Sequence, residues 1–117
     1  MDFDDALRAH VEWKLRVAAY VRQSDGSLDP VVVARVDQCR LGQWLDDEQH
    51  PHAGSPEFIA LRTQHAAFHQ AAADLVRRTN AGEDASADVA LGSDSPFEET
   101  SLVVRVALLT MKHDLAP

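Results

Sequence analysis

Three long segments of the chain carry apolar residues in steps of three and four, which is the spacing of one face of an α-helix. These segments run from about Phe3 to Val21, from Pro56 to about Thr79, and from Pro96 to about His113. The predicted inward positions are Phe3, Ala6, His10, Trp13, Val17 and Tyr20, then Phe58, Leu61, His65, Phe68, Ala72 and Leu75, and finally Phe97, Val104, Leu108 and Met111. No segment alternates with the period of two that is typical of a strand. The chain is therefore predicted to be all-α.

A shorter second helix is predicted from Pro30 to about Arg40, because Asp29 is a good N-cap residue and proline suits the first helical position. Gly42 is expected to end this helix, since glycine is common just beyond a helix C-terminus. Residues 80–95 form an acidic connection, with one or two helical turns expected near 85–91. The length of 117 residues suits one domain, so residues 1–117 are predicted to form a bundle of four main helices.

The third and fourth helices carry the same signal at their start. Ser55 and Ser95 each precede a proline, so each is expected to cap the helix that follows. Glu98 lies three residues after Ser95, which is the spacing of a capping box.

The charge and hydropathy of the sequence exclude several classes of partner. Nineteen acidic residues against eleven basic ones give a net charge of −8, which repels phosphate backbones and anionic lipids. Neither nucleic acid nor a membrane surface is therefore predicted as a partner. The chain has no run of eighteen apolar residues and begins with an acidic stretch instead of a signal peptide, so a cytoplasmic location is expected. There the single cysteine, Cys39, would stay reduced.

Histidines occupy positions where the helical pattern requires apolar residues. His10 lies in the first stripe, His65 lies in the third, and His69 follows His65 one turn later on the same face. Together with Cys39, these residues would supply three nitrogens and one thiolate, a set that suits tetrahedral Zn(II). Cu(I) is an alternative, whereas Mg²⁺ and Ca²⁺ prefer oxygen ligands. From spacing alone, the competing interpretation also stands: hydrogen-bonded histidines in the core and a buried thiol.

Three stretches of this sequence, HVEWKLR, CRLGQWL and HAAFH, together resemble the chemoreceptor zinc-binding domain family. The hallmark of that family is a Cys-x-Leu/Phe-Gly-x-Trp core with one histidine upstream and a His-x3-His pair downstream. The matching residues here are Cys39, Leu41, Gly42, Trp44, His10, His65 and His69. The resemblance covers nearly the whole chain, including SPFEETS at the start of the last helix.

The resemblance implies that one zinc ion lies between the helices, bound by His10, Cys39, His65 and His69. It also implies a regulatory module that responds to zinc or to an oxidant such as hypochlorous acid, often as a homodimer. The partners in the family are chemoreceptors and diguanylate cyclases. No signalling or cyclase sequence accompanies these motifs, so a stand-alone protein and a part of a larger one both remain open. A purely structural role for the zinc is the alternative function.

An enzymatic role is not predicted. Four protein ligands leave no zinc position for water, and HAAFH lacks the glutamate of the HExxH motif of zinc hydrolases. Gly42 is expected either to form a left-handed turn that directs Cys39 inward or to end a helix. Trp13 and Trp44 are predicted to cover the site by packing. His50, His52 and His113 are not predicted to be ligands.

Overall fold

The computed structural model describes residues 2–47 and 52–115, and every element within these ranges is helical. The α-helices are α1 (Phe3–Arg22), α2 (Pro30–Val33), α3 (Arg40–Leu45), α4 (Pro56–Asn80) and α5 (Pro96–Leu115). Two short 3₁₀ helices lie at Val36–Gln38 and Ser86–Val89. The predicted all-α fold is confirmed, and the second 3₁₀ helix lies where helical turns were expected.

The three long helices, α1, α4 and α5, begin and end within two residues of their predicted limits. Ser55 Oγ accepts a hydrogen bond from the Phe58 amide at 3.2 Å, which confirms it as the N-cap of α4. Ser95 Oγ does the same for the Glu98 amide at 3.2 Å at the start of α5.

The reciprocal half of the capping box predicted at Ser95 is wrong. The Ser95 amide donates to Ser93 Oγ at 3.4 Å, and the Glu98 side chain points instead toward α1. The physical reason is that a buried lysine on α1 attracts this carboxylate more strongly than an amide would.

The second predicted helix is also wrong in its extent, because residues 30–45 form three short helical pieces. Arg35 and Cys39 both adopt extended backbone conformations, which interrupt any continuous helix between Pro30 and Arg40. The run of valines at 31–33 lowers helix propensity, so little local energy opposes these breaks. Gly42 does not end a helix or form a left-handed turn, since it lies inside α3 and has no positive φ.

The core lies between the three long helices and the short segments that cover them. All of the predicted inward positions are buried except Trp13, which is half-buried. α4 packs against α5, α1 and the short helices between residues 30 and 45. None of the helices in the described ranges combines the length and apolarity needed to span a bilayer.

One buried ion pair joins α1 to α5. Lys14 Nζ lies 2.5 Å from Glu98 Oε1, and both side chains are over nine-tenths buried. The contact has the distance of an ion pair without the alignment of a hydrogen bond. On the other side of the carboxylate, Arg105 Nη2 lies 3.8 Å from Glu98 Oε2.

Replacing Lys14 with methionine is expected to lower the free energy of unfolding by about 3 kcal/mol, because Glu98 would lose its nearest countercharge while remaining buried. Lys112→Met is the matched control, since Lys112 pairs with Asp4 at 2.8 Å on an exposed surface. In urea denaturation the control variant should lose less than about 1 kcal/mol of its free energy of unfolding. Equal losses in the two variants would contradict a special role for the buried pair.

Candidate metal centre

The fold brings Cys39, His65 and His69 into one group of donor atoms. Cys39 Sγ lies 3.3 Å from His65 Nε2 and 3.4 Å from His69 Nε2, and the two histidine nitrogens are 3.1 Å apart. Both histidines are buried, and the cysteine is half-buried. Residues from distant parts of the sequence therefore present one sulfur and two nitrogens to a common point.

Local structure directs the cysteine toward this point. Cys39 is the N-cap of α3, and its extended backbone points the side chain back over the first turn, where Sγ accepts a hydrogen bond from the Gly42 amide at 3.2 Å. The two histidines project from α4 one turn apart, on the face that packs against these short segments. The site thus lies between the start of α3 and the middle of α4.

A backbone carbonyl orients the His69 ring. His69 Nδ1 lies 2.7 Å from the Val33 carbonyl oxygen, and since a carbonyl can only accept, Nδ1 carries the proton. In the neutral ring, Nε2 is then left with its lone pair directed at Cys39 and His65. Such a bond from the remote nitrogen commonly orients a metal-binding histidine.

Burial keeps the imidazoles uncharged, which is the form that binds metal. It lowers the pKa of His65 to about 3, with smaller contributions from the neighbouring His69 and His10. Burial also lowers the pKa of His69, although the bond to Val33 opposes that shift. The pKa of the Cys39 thiol is raised by burial, so a bound cation would have to displace its proton.

The spacing of these donors fits zinc. Zn–N bonds near 2.0–2.1 Å and Zn–S bonds near 2.3 Å give tetrahedral edges of about 3.3 Å between nitrogens and about 3.6 Å between nitrogen and sulfur. The donor separations of 3.1–3.4 Å approach these edges without any rearrangement of Cys39, His65 or His69. The set contains no oxygen ligand of the kind that Mg²⁺ or Ca²⁺ requires.

The fourth predicted ligand, His10, lies outside this group. It is 2% exposed, its ring packs on Phe68 with centroids 4.6 Å apart, and its Nε2 lies 2.8 Å from Ser101 Oγ on α5. The structure therefore brings together three of the four predicted ligands and places the fourth nearby in the same core.

The remaining residues named from the sequence have packing roles. Trp13 stacks on His69, with ring centroids 5.9 Å apart, as expected for a residue that covers the site. Trp44 packs edge-on against Phe3 and Phe58. His52 stacks on Phe3 and is half-buried.

His113 is exposed, and its Nδ1 lies 2.8 Å from Asp114 Oδ1. His50 lies outside the described residues.

Sequence analysis missed two groups at this site. The Val33 carbonyl has no sequence signal, because any residue supplies one. Ser101 did have a signal: it lies in phase with Phe97, Val104 and Leu108, so it is a polar residue within an apolar stripe.

The metal-free protein is expected to lose stability as the pH falls from about 6.5 toward about 3. His10 and His65 both have pKa values lowered by burial to about 3, against ordinary values of 6.5. In this range the unfolded chain binds more protons than the folded one, so acid lowers the free energy of unfolding. At pH 5.5 the burial of each of these two histidines should lower the free energy of unfolding by roughly 1 kcal/mol relative to neutral pH.

Urea denaturation in the presence of a chelator, at pH 7.5 and at pH 5.5, measures this loss. The His65→Gln variant should lose clearly less stability than the wild type between the two pH values. A pH dependence as steep in the variant as in the wild type would show that other groups cause it.

Comparison with known proteins adds one positive finding. A family model described as the chemoreceptor zinc-binding domain matches residues 10–76, more than half of the chain and all four predicted ligands. Searches of curated proteins and of solved structures find no match.

Proposed function

Because the chain belongs to the chemoreceptor zinc-binding domain family, we propose that it is a regulatory module whose zinc site controls a signalling partner. Its cofactor is zinc, in keeping with the family and with the sulfur and two nitrogens that converge in the core. That convergence of Cys39, His65 and His69 is the observation that carries the proposal.

We propose that the complete ligand set is His10, Cys39, His65 and His69. His10 is the additional candidate because it is buried, its pKa is lowered by burial, and its ring packs on Phe68, which also contacts His69. When zinc is bound, the ion would join α1 to the start of α3 and to α4, and Cys39 would be held as a thiolate. Four protein donors would leave no position for a reacting water, so we propose no catalytic role.

The proposed signal is a change in zinc supply or an oxidant that reaches Cys39. The thiol is half-buried and lines a surface groove together with Glu12, Trp13, Arg16 and Arg40. Hypochlorous acid would take two electrons from the thiolate: Cys–S⁻ and HOCl would give the sulfenic acid Cys–SOH and Cl⁻. The neutral product is a poorer ligand than the thiolate, so zinc would leave and the packing of α3 on α4 would loosen.

A direct test treats the zinc-loaded protein with one equivalent of hypochlorous acid. Zinc release, followed with a chromogenic chelator, and a loss of helicity, followed by circular dichroism, are expected together. Addition of a thiol reductant after the oxidant is the control, because it returns the sulfenic acid to the thiol and should restore zinc binding. If zinc and helicity are both unchanged, the oxidant-sensing version of the proposal is wrong.

The alternative is a structural zinc with no sensing role. The two functions differ in affinity, because a structural ion resists strong chelators whereas a sensor exchanges its ion within a physiological range. Competition of the zinc-loaded protein against chelators of graded affinity distinguishes them.

We further propose that the chain acts as a cytoplasmic homodimer beside a signalling partner such as a chemoreceptor or a diguanylate cyclase. An exposed apolar stripe on α5 supports the dimer; its members are Leu102, Val103, Val106 and Leu109. An antiparallel pairing of two α5 helices about Val106 would cover this stripe with the same stripe of the second copy.

Sedimentation at several protein concentrations tests the dimer. The Val106→Asp variant should be a monomer, whereas Leu91→Asp, at an 84% exposed position away from α5, should not change the association. A wild-type protein that stays monomeric at high concentration would rule this pairing out. The net charge of −8 gives no support to nucleic acid or an anionic membrane as the partner.

A further inference from the structure

The fourth proposed zinc ligand already has a partner on another helix. His10 Nε2 lies 2.8 Å from Ser101 Oγ, and both residues are almost completely buried, at 2% and 0% exposure. A buried polar atom requires a partner in every state of the protein. In this structure that partner is on α5, which contributes none of the proposed zinc ligands.

This hydrogen bond is part of a polar strip between α1 and α5. His10 and Lys14 lie one turn apart on α1, and they face Ser101 and Glu98, which lie about one turn apart on α5. The strip therefore consists of one neutral hydrogen bond next to one buried ion pair. Of the two, the hydrogen bond is the weaker and the easier to exchange.

We infer that Ser101 competes with zinc for His10, so that filling the metal site releases α1 from this contact with α5. This inference rests on the proposed function, in which His10 is the fourth ligand. Because His10 lies outside the donor group, its ring has to move to join Cys39, His65 and His69. The bond to Ser101 holds the ring where it is, and therefore opposes that movement.

Ser101 has another possible hydrogen-bond partner once His10 leaves. A serine hydroxyl inside a helix can donate to the carbonyl four residues earlier, which here belongs to Phe97. The exchange would therefore leave no buried hydroxyl without a partner, and the competition would be reversible.

The exchange would link zinc occupancy to the helix that carries the proposed dimer surface. Ser101 precedes Leu102 and Val103, which are 53% and 45% exposed on the opposite side of α5. With His10 withdrawn, the ion pair of Lys14 and Glu98 would be the polar contact left in the strip. A change in the position or mobility of α5 is the expected consequence.

The first test compares the zinc affinity of the wild type with that of Ser101→Ala, using zinc ions alone in competition with a chromogenic chelator. Removing the competitor should tighten zinc binding roughly two- to ten-fold, the value of one net hydrogen bond. The same variant should lower the stability of the metal-free protein, so affinity and stability should move in opposite directions. Thr100→Ala is the matched control, because the Thr100 hydroxyl bonds to the Pro96 carbonyl of its own helix at 2.6 Å.

Unchanged or weaker zinc binding by Ser101→Ala would overturn the inference. If the wild type binds zinc in the same experiment, the proposed function still stands. A wild type that binds no zinc would instead reject the proposed function itself.

A second measurement does not depend on the folding of the variant. Nitrogen-15 spectra of the histidine side chains in the wild type should show His10 Nε2 leaving its hydrogen bond as zinc is added. If Nε2 keeps that bond in the zinc-loaded protein, Ser101 supports the ligand instead of competing for it, and the inference is wrong.

Discussion

Replacing Cys39 with serine is expected to weaken zinc binding by about a few hundred-fold while the protein still folds without metal. A structural zinc site contributes roughly 10–16 kcal/mol in total, so one of four ligands accounts for about a quarter, or a factor of about a few hundred. Serine is a poor zinc ligand at neutral pH because its hydroxyl does not ionise. It is, however, a good N-cap, and can accept the Gly42 amide bond that Cys39 Sγ accepts now at 3.2 Å.

Metal analysis of the purified variant and a chelator competition measure this effect, with circular dichroism as the test of folding. Cys39→Ala provides a useful contrast, because it removes the ligand and the cap together and should also lower the stability of the metal-free protein. His113→Ala is the control for zinc content, since His113 is exposed at the end of α5. Stoichiometric zinc in Cys39→Ser at wild-type affinity would exclude Cys39 as a ligand.

Replacing Gly42 with alanine is expected to destabilise the metal-free protein by about 3 kcal/mol and to weaken zinc binding as well. A methyl group at this position would lie 1.7 Å from the Val36 carbonyl oxygen and 2.7 Å from its carbon. Both are backbone atoms, so α3 would have to move away from the preceding 3₁₀ helix. The same methyl group would lie 3.3 Å from His65 Cε1, so the movement would also separate Cys39 from the histidines.

Gly54→Ala is the matched control, because nothing lies within 4 Å of a methyl group at that position and its φ is not positive. Its effect should stay within about 0.5 kcal/mol in urea denaturation. A Gly42→Ala variant as stable as this control would show that the close approach of α3 to Val36 is not required by the fold.

The long helices could be predicted from the sequence because the apolar spacing that specifies them is local and repeats along each helix. In α4 the inward positions follow one another in steps of three and four from Phe58 to Leu75, and all of them are buried. The N-cap serines depend only on neighbouring residues, so they too were predicted correctly. The side-chain partner of Glu98 was predicted wrongly, because Lys14 is distant in the sequence. The spacing of a capping box carries no information about such a distant partner.

The prediction of a continuous second helix was wrong because helix propensity in this segment is weak. Tertiary contacts determine its backbone conformation instead. An extended Cys39 lets the sulfur reach α4, and Gly42 lets α3 approach Val36 closely. The glycine was thus correctly identified as important, but for the wrong reason. Its requirement is space next to a backbone carbonyl, not freedom of φ.

The residue pattern alone is enough to predict that the chain is helical, which faces of α1, α4 and α5 are buried, and which side chains could offer zinc a sulfur and nitrogens. Periodicity and donor chemistry belong to the residue types and their order, so they can be read without coordinates. Tertiary packing sets which nitrogen of His69 faces the cysteine, and it pairs His10 with Ser101. These choices depend on how far one helix is rotated and shifted against another, which results from the packing of the whole core.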